Sequence, residues 1–315
     1  MKNSGVTRKV FRMIIAALVG LLILVLCGLY YPPILVIGYA LIGRSPVCSI
    51  FQAFRSAQTS FRHHQLESAY LSSGNLFRLS ESDSMGFSQW GTPEGNYWIP
   101  EGNDKVLRVL TAQQRSDIYG IGRNGVQPGD IVLDCGAHVG IFTRKALNLG
   151  ASKVIAIEPG KENLECLRRN LKNEISQGLV IVYPEGVWDQ EGILEFHTFD
   201  RNSAADSFIT QDSAVAGRTY KVKVTTVDKL ASSLGLARID FIKMDIKGST
   251  KRALQGAKET LARYKPRMAI STEETADNPQ SIITLCRKLQ PAYETDCGYC
   301  AIENGIVLPM VVFFR

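Results

Sequence analysis

Three patterns of apolar and polar positions follow one another along the 315 residues. Over residues 10–43 nearly every position is apolar. Residues 13–31 are enough for a helix across a hydrocarbon core of about 30 Å, which takes about 20 residues. Tyr30 and Tyr31 suit an interfacial belt. Pro32-Pro33 stops or sharply kinks the helix, since neither residue donates a backbone hydrogen bond. The pattern predicts an N-terminal membrane helix, or a hairpin that turns at Pro32-Pro33 and returns through residues 34–42. A cleaved signal peptide fits less well, because the apolar run is overlong and no small-x-small site follows it. Next, IFQAFRSAQTSFRHH puts Ile50, Phe51, Phe54, Ala57 and Phe61 near one helical face. That is either an amphipathic helix on a membrane surface or a helix packed on the body; His63-His64 reads as its solvated face. Residues 71–103, rich in Ser, Gly and Pro, read as a loop-rich junction with at most an edge strand at NYWIP.

From residue 104 the pattern alternates between helical periodicity and short buried runs. Residues 105–119 are helical. VQPGDIVLDCGAHVGIFTRKALNLG then reads as turn, buried strand (131–135), glycine loop and helix, with Gly150 as the stop. KVIAIEPG is a second strand ending in Glu158, followed by a helix with Leu164, Leu167 and Leu171 on one face. LVIVYPEGVWD is a third strand. GILEFHTFD and YKVKVTTVD are excursion strands around a polar loop (201–218), with Asp228 placed as a helix N-cap. IDFIKMDIKG, PRMAISTEE and the β-rich tail IVLPMVVFFR complete the strands. Such alternation predicts an α/β fold with a doubly wound, mostly parallel sheet, whose ligands bind beyond the carboxyl ends of the strands. The chain divides into an anchor (1–45), a juxtamembrane junction (46–103) and a catalytic body (104–315).

Charge sharpens that division. Of 36 basic residues, seven precede Glu67, the first acid, so the rest of the chain sets 29 bases against 30 acids. A body so nearly neutral argues against a nucleic-acid groove, which needs a basic stripe. The seven cysteines are scattered and odd in number, which points to a reducing compartment. Cys297-Gly-Tyr-Cys300 lacks the second ligand pair that a structural zinc requires, and no metal site is expected.

The chemistry concentrates in Asp134-Cys-Gly136-Ala137-His138-Val139-Gly140. A pyrophosphate would be repelled by the carboxylate at the strand end. S-adenosylmethionine has no phosphate, and its ammonium suits Asp134. Gly136, Ala137 and Gly140 bring backbone close to the ligand, His138 contacts it through its main chain, and Glu158 is placed to accept both ribose hydroxyls. Trp188-Asp189 either borders the adenine or is a core tryptophan with a turn aspartate. At the end of the fourth main strand Asp245 is the candidate general base. Lys243, on the same strand face, either pairs with Asp245 or orients the acceptor. Glu273 and Glu274 end the next strand, as a second base or acceptor ligand or as loop acids in solvent. His197 reads first as a surface histidine and second as an acceptor contact.

VLDCGAHVGIFT, AIEPG, TTVDKL, FIKMDIKGSTKRALQGA and PRMAISTEE occur in order and resemble the FkbM family of S-adenosylmethionine-dependent methyltransferases over about two thirds of the chain. The resemblance implies a seven-stranded, Rossmann-like methyltransferase sheet and O-methylation of a sugar or another natural-product hydroxyl. One departure stands out. The family pattern is similar to K-x-D-x-E-G-x-E, but Lys247 and Thr250 replace its two glutamates. Combined with the apolar N-terminus, the resemblance implies an enzyme held at the bilayer, its body facing the cytoplasm, where the cofactor is made. Its partner would be a glycan or lipid-linked acceptor. The alternative is a non-catalytic binding or scaffold protein of the same fold.

Overall fold

In the computed structural model the chain is described at residues 11, 13–16, 18–20, 31, 33–72, 74–209, 217–272 and 278–315. It opens with α1 (Pro33–Leu41) and α2 (Ile50–Ser72), a meander of β1 (Phe77–Arg78), β2 (Phe87–Thr92) and β3 (Gly95–Pro100), and α3 (Asp104–Arg115). The body follows as β4 (Ile131–Cys135), α4 (Ile141–Asn148), β5 (Lys153–Ile157), α5 (Lys161–Asn170), α6 (Lys172–Ser176) and β6 (Val180–Tyr183). An excursion of β7 (Gly186–Val187), β8 (Gly192–Thr198) and β9 (Arg218–Thr225) leads to α7 (Val227–Ser233), β10 (Phe241–Met244), α8 (Thr250–Gln255), α9 (Lys258–Tyr264) and β11 (Arg267–Ser271). The chain ends with α10 (Pro279–Leu289), β12 (Thr295–Cys297), β13 (Cys300–Glu303), β14 (Ile306–Pro309) and β15 (Val311–Phe314).

The main sheet has seven strands in the order β12-β15-β11-β10-β4-β5-β6. β15 runs antiparallel between β11 and β12, and the other pairings are parallel. Leu133, Ile155, Ile242 and Ile270 pack one face beneath α7 to α10, while Val132, Val154, Phe241 and Ala269 pack the other. Both faces are therefore apolar, which is why the strands read as continuous apolar runs and not as alternating ones.

Among the described residues no helix is long and apolar enough to cross a membrane. This overturns the N-terminal membrane helix expected as part of the fold. The second arm of the expected hairpin is α1, nine residues that bury Pro33, Val36 and Ala40. At 1.5 Å per residue it is far too short to span, and it packs on α2 and β14 instead. Residues 21–30 of the expected span lie outside the described residues. α2 packs on the body, burying Ala53 and Ala57 against Cys297 and Cys300. His63 lies on that inner face, not in solvent. It is bonded to Ser116 Oγ at 3.1 Å, and burial holds its pKa below the usual histidine value.

Three further expectations are corrected. The junction is a hydrogen-bonded meander, because Tyr97, Ile99 and Phe87 bury one side of it against Leu107 and Val139. The N-cap of α7 is Thr226, whose hydroxyl accepts from Lys229 N at 3.0 Å; Asp228 instead caps α9, accepting from Glu259 N and Thr260 N. Finally, the cysteines are not all reduced. Cys48 and Cys297 form a disulfide that ties the segment before α2 to β12, with Cys300 free and its sulfur 3.9 Å from that of Cys48. Disulfides persist mainly in oxidising compartments.

Candidate active site

The site lies at the carboxyl ends of β4, β5 and β10. Pairing of β10 with β4 sets Lys243 directly beside Asp134. Asp134 is wholly buried; its Oδ2 accepts from Thr143 Oγ1 at 2.7 Å, and its Oδ1 forms an ion pair with Lys243 Nζ at 3.1 Å. Lys243 Nζ also donates to Gly136 O at 2.7 Å, bracing the glycine loop. Burial alone would lower the Lys243 pKa, but Asp134 and Asp245 beside it carry it above the lysine value.

After β4 the chain turns through Gly136 at φ +80°, where a Cβ would run into the carbonyl oxygen of Asp245. Only glycine fits there. The amides of Gly136 and Ala137 both donate to Ile157 O at 3.0 Å. His138, also left-handed at φ 52°, donates its amide to Glu158 Oε2 at 2.8 Å. Its ring Nε2 lies 2.7 Å from Ser203 Oγ, and burial pushes its pKa down to about 4, so the imidazole is neutral. Glu158 Oε1 accepts from Gly160 N at 2.8 Å. Burial raises the Glu158 pKa above the usual carboxylate value, against the pull of those amides.

On the far side stands Asp245, whose Oδ2 accepts from the Tyr119 hydroxyl at 2.8 Å. Burial would raise its pKa, but the ammonium groups of Lys247 and Lys243 and the hydrogen bonds from Tyr119 and Ser271 carry it below the usual value. Ser203, Ala204, Asp206, Ser207 and Phe208, between β8 and β9, line the opening. Ser203 N donates to Asn103 Oδ1 at 2.9 Å, and Ser207 Oγ donates to Lys247 O at 2.8 Å.

One pocket brings together Gly136, Ala137, His138, Glu158, Lys243 and Asp245. Asp134 does not line it and acts on it only through Lys243. Gly140 lies outside as well: at φ +89° it lets α4 approach Leu171, whose Cδ1 would be 2.8 Å from a Cβ. Asp189 is not brought in, being paired with Arg252 at 2.6 Å, and Trp188 packs edge-on to Phe208. His197 is bonded to Thr219 Oγ1 at 3.0 Å on an exposed part of the excursion. Glu273 and Glu274 lie outside the described residues. Sequence reasoning missed Tyr119, Asn163, Ser203 and Asp206, all pocket residues. They sit in a turn, on a helix and in a polar loop, where no local pattern marks them. No group of His, Cys, Asp and Glu able to hold a metal occurs among the described residues.

Fold and site together define a doubly wound α/β protein with a cofactor cleft at its strand ends. Residues 134–299, more than half of the chain, match the Methyltransferase FkbM domain, and the chain belongs to that family. None of the curated proteins matches it. Among solved structures it is similar to Methyltransferase FkbM from Methylobacillus flagellatus, at 16% identity over 83% of this chain with a TM-score of 0.45. The chain spans 59% of that protein's length. It is also similar to precorrin-6y C5,15-methyltransferase from Geobacter metallireducens, at 12% identity over 60% of this chain and 79% of that one, TM-score 0.35. A third is SMU.1697c of Streptococcus mutans, solved in complex with SAH, at 14% identity over 60% and 89% of the two chains, TM-score 0.37.

The cofactor of this family is S-adenosylmethionine, and the residues present fit it. Among the described residues, His138 Nδ1 and Asn163 Oδ1 are buried without a hydrogen-bond partner, and both belong to residues lining the pocket beside Glu158. Buried polar atoms are seldom left unpaired unless a ligand or water completes them. A carboxylate offers about four lone-pair sites; Glu158 meets the amides of His138 and Gly160 and, at 3.5 Å, Asn163 Nδ2, and keeps capacity for a hydroxyl donor.

Proposed function

We propose that this protein is an S-adenosylmethionine-dependent O-methyltransferase acting on a hydroxyl of a glycan, a glycolipid or a related metabolite. The reading is carried by one juxtaposition: Glu158 and Asp245 face the same pocket, one suited to a ribose and the other held ionised at the strand end. When bound, the cofactor supplies a methyl group already activated by its sulfonium. Glu158 accepts the ribose hydroxyls, while His138 and Asn163 complete the polar contacts. Asp245 takes the proton of the acceptor hydroxyl on a carboxylate oxygen, work that a positioned base does for a weak nucleophile. The Lys243 ammonium offsets the charge of both Asp134 and Asp245. The strap from Ser203 to Ser207 limits water at the reacting atoms.

Labelled S-adenosylmethionine, offered to the full chain together with glycans extracted from the source cells, tests the reading. Saturable binding and a mass gain of one methylene on a glycan support it. Absence of binding at high cofactor concentration overturns it.

A second reading, a non-catalytic binding protein of this fold, draws on Lys247 and Thr250, which stand where the family pattern has acids. Thr250 is buried at the start of α8, and Lys247 puts a cation beside Asp245. Cofactor binding without transfer to any extracted glycan would favour it.

A further inference from the structure

The turn after α3 is constructed around one side chain. Asp117 and Gly120 both take left-handed φ, at 58° and 89°. A non-glycine residue in that region is uncommon and costs strain that its surroundings must offset. Here the Gly120 amide donates to Asp117 O at 2.8 Å, and a Cβ on Gly120 would lie 2.6 Å from Asn124 O. Lys145 of α4 fastens the turn, pairing with Asp117 Oδ1 at 2.5 Å and donating to Gln114 O. Between the two left-handed residues stands Tyr119. Its ring is 5% exposed and edge-on to Phe142 with centroids 5.4 Å apart, and its hydroxyl reaches Asp245.

We propose that Tyr119 is a positioning residue for Asp245: its hydroxyl, delivered by the Asp117–Gly120 turn, pins one carboxylate oxygen and keeps the other side of the carboxylate toward the acceptor. This rests on the reading of Asp245 as the base. The groups facing Asp245 explain why a pin is needed. Lys243 comes from β10 itself, Lys247 from the loop beyond it, His138 from the glycine loop and the Ser271 hydroxyl from β11. The ammonium groups of Lys247 and Lys243 both attract that carboxylate. A neutral phenol fixes it by a charge-assisted hydrogen bond without adding charge. The Lys243 ammonium lies 5.5 Å from the Tyr119 ring centroid, and both residues line the pocket.

Tyr119→Phe removes only the oxygen and keeps the ring against Phe142. In the full chain, the Asp245 carboxyl carbon, assigned by comparison with Asp245→Asn, should titrate at higher pH in carbon-13 NMR. Affinity for labelled S-adenosylmethionine should stay within about twofold, while transfer to the extracted glycan fraction falls about tenfold, close to one hydrogen bond to a charged group. The acid limb of the pH profile should move with the carboxyl. Incorporation of 3-fluorotyrosine at position 119, a stronger donor, should move the carboxyl the opposite way. An unmoved titration, or cofactor affinity falling as far as transfer, overturns the proposal. Full transfer by Asp245→Asn removes the base reading and the positioning role with it. Dependence on Asp245 with an unmoved Tyr119→Phe profile removes the positioning role alone.

Discussion

At the cofactor end of the pocket the bonds run through backbone. Glu158 is held by the amides of His138 and Gly160, and the glycine loop by two amides on Ile157 O. At the acceptor end they run through side chains. Asp245 meets Tyr119, Lys243 and Lys247, and Ser207 of the strap donates its hydroxyl to Lys247 O. The first end is assembled within residues 134–163, the second from segments more than a hundred residues apart. Backbone geometry fails all at once, by unfolding a turn. A side-chain network fails by degrees, through charge and protonation. The cofactor end should therefore respond to substitution through stability and affinity, and the acceptor end through turnover and pH.

The largest effect is expected at the acceptor end. Asp245→Asn keeps the shape and removes the base, so transfer should fall roughly 10²- to 10⁴-fold, the usual worth of a positioned base. Cofactor affinity measured by calorimetry should change far less. Because Asp245 is held below the ordinary carboxylate range, wild-type transfer should persist well into mildly acid pH and fade only as that carboxylate protonates. Equal losses in affinity and turnover would erase the contrast between the two ends.

Second comes the glycine loop. Gly136→Ala forces a side chain into a left-handed position against Asp245 O. Strain and overpacking together should cost about 2–4 kcal/mol, read as a lower urea midpoint. A loss under about 0.5 kcal/mol, ordinary for a surface change, would mean that the loop is not rigid.

The same contrast explains what the sequence could reveal. β4, the glycine loop, β5 and Glu158 were legible because local pattern fixes them: an apolar run, a positive-φ glycine, a second run, an acid. Asp245 and Lys243 were legible as strand-end residues. Tyr119 was not, since its place depends on a turn whose left-handed Asp117 has no sequence signature. Asp189, read as an adenine border or a turn aspartate, pairs with Arg252, and β7 before it leaves the main sheet to pair with β9. The apolar run after Pro32 misled for a related reason: α1 buries Val36 and Ala40 against α2 and β14, and hydropathy alone cannot distinguish protein from lipid as the covering surface. Cys48 and Cys297, 249 residues apart, carried no spacing signal for their disulfide.

Third in size is Glu158→Ala. Removing the acceptor of the ribose hydroxyls and of two amides should weaken S-adenosylmethionine binding by about 1–3 kcal/mol. Turnover at saturating cofactor should change much less, which a titration against labelled cofactor will separate. Unchanged affinity would move the ribose elsewhere in the pocket.

The smallest effect tests where the two ends meet, under the strap. Asp206 accepts from Phe199 N at 2.9 Å, and burial, aided by Glu158 and Glu162 and opposed by Arg218 and the Phe199 amide, pushes its pKa up to about 8. In the unfolded chain it titrates near 3.8, the ordinary aspartate value. The folded state thus holds a proton that the unfolded state releases. Its contribution to stability is fully present below about pH 4 and is lost as pH rises through about 8. Asp206→Asn keeps an oxygen for Phe199 N and can never ionise. Its melting temperature should match wild type near pH 4 and exceed it by about 2–4 °C above pH 8, a shift near 1 kcal/mol in a chain this long. An equal change at both pH values would place the effect in packing, and would leave the strap a shaped cover rather than a charge-sensitive boundary between a backbone-built end and a side-chain-built one.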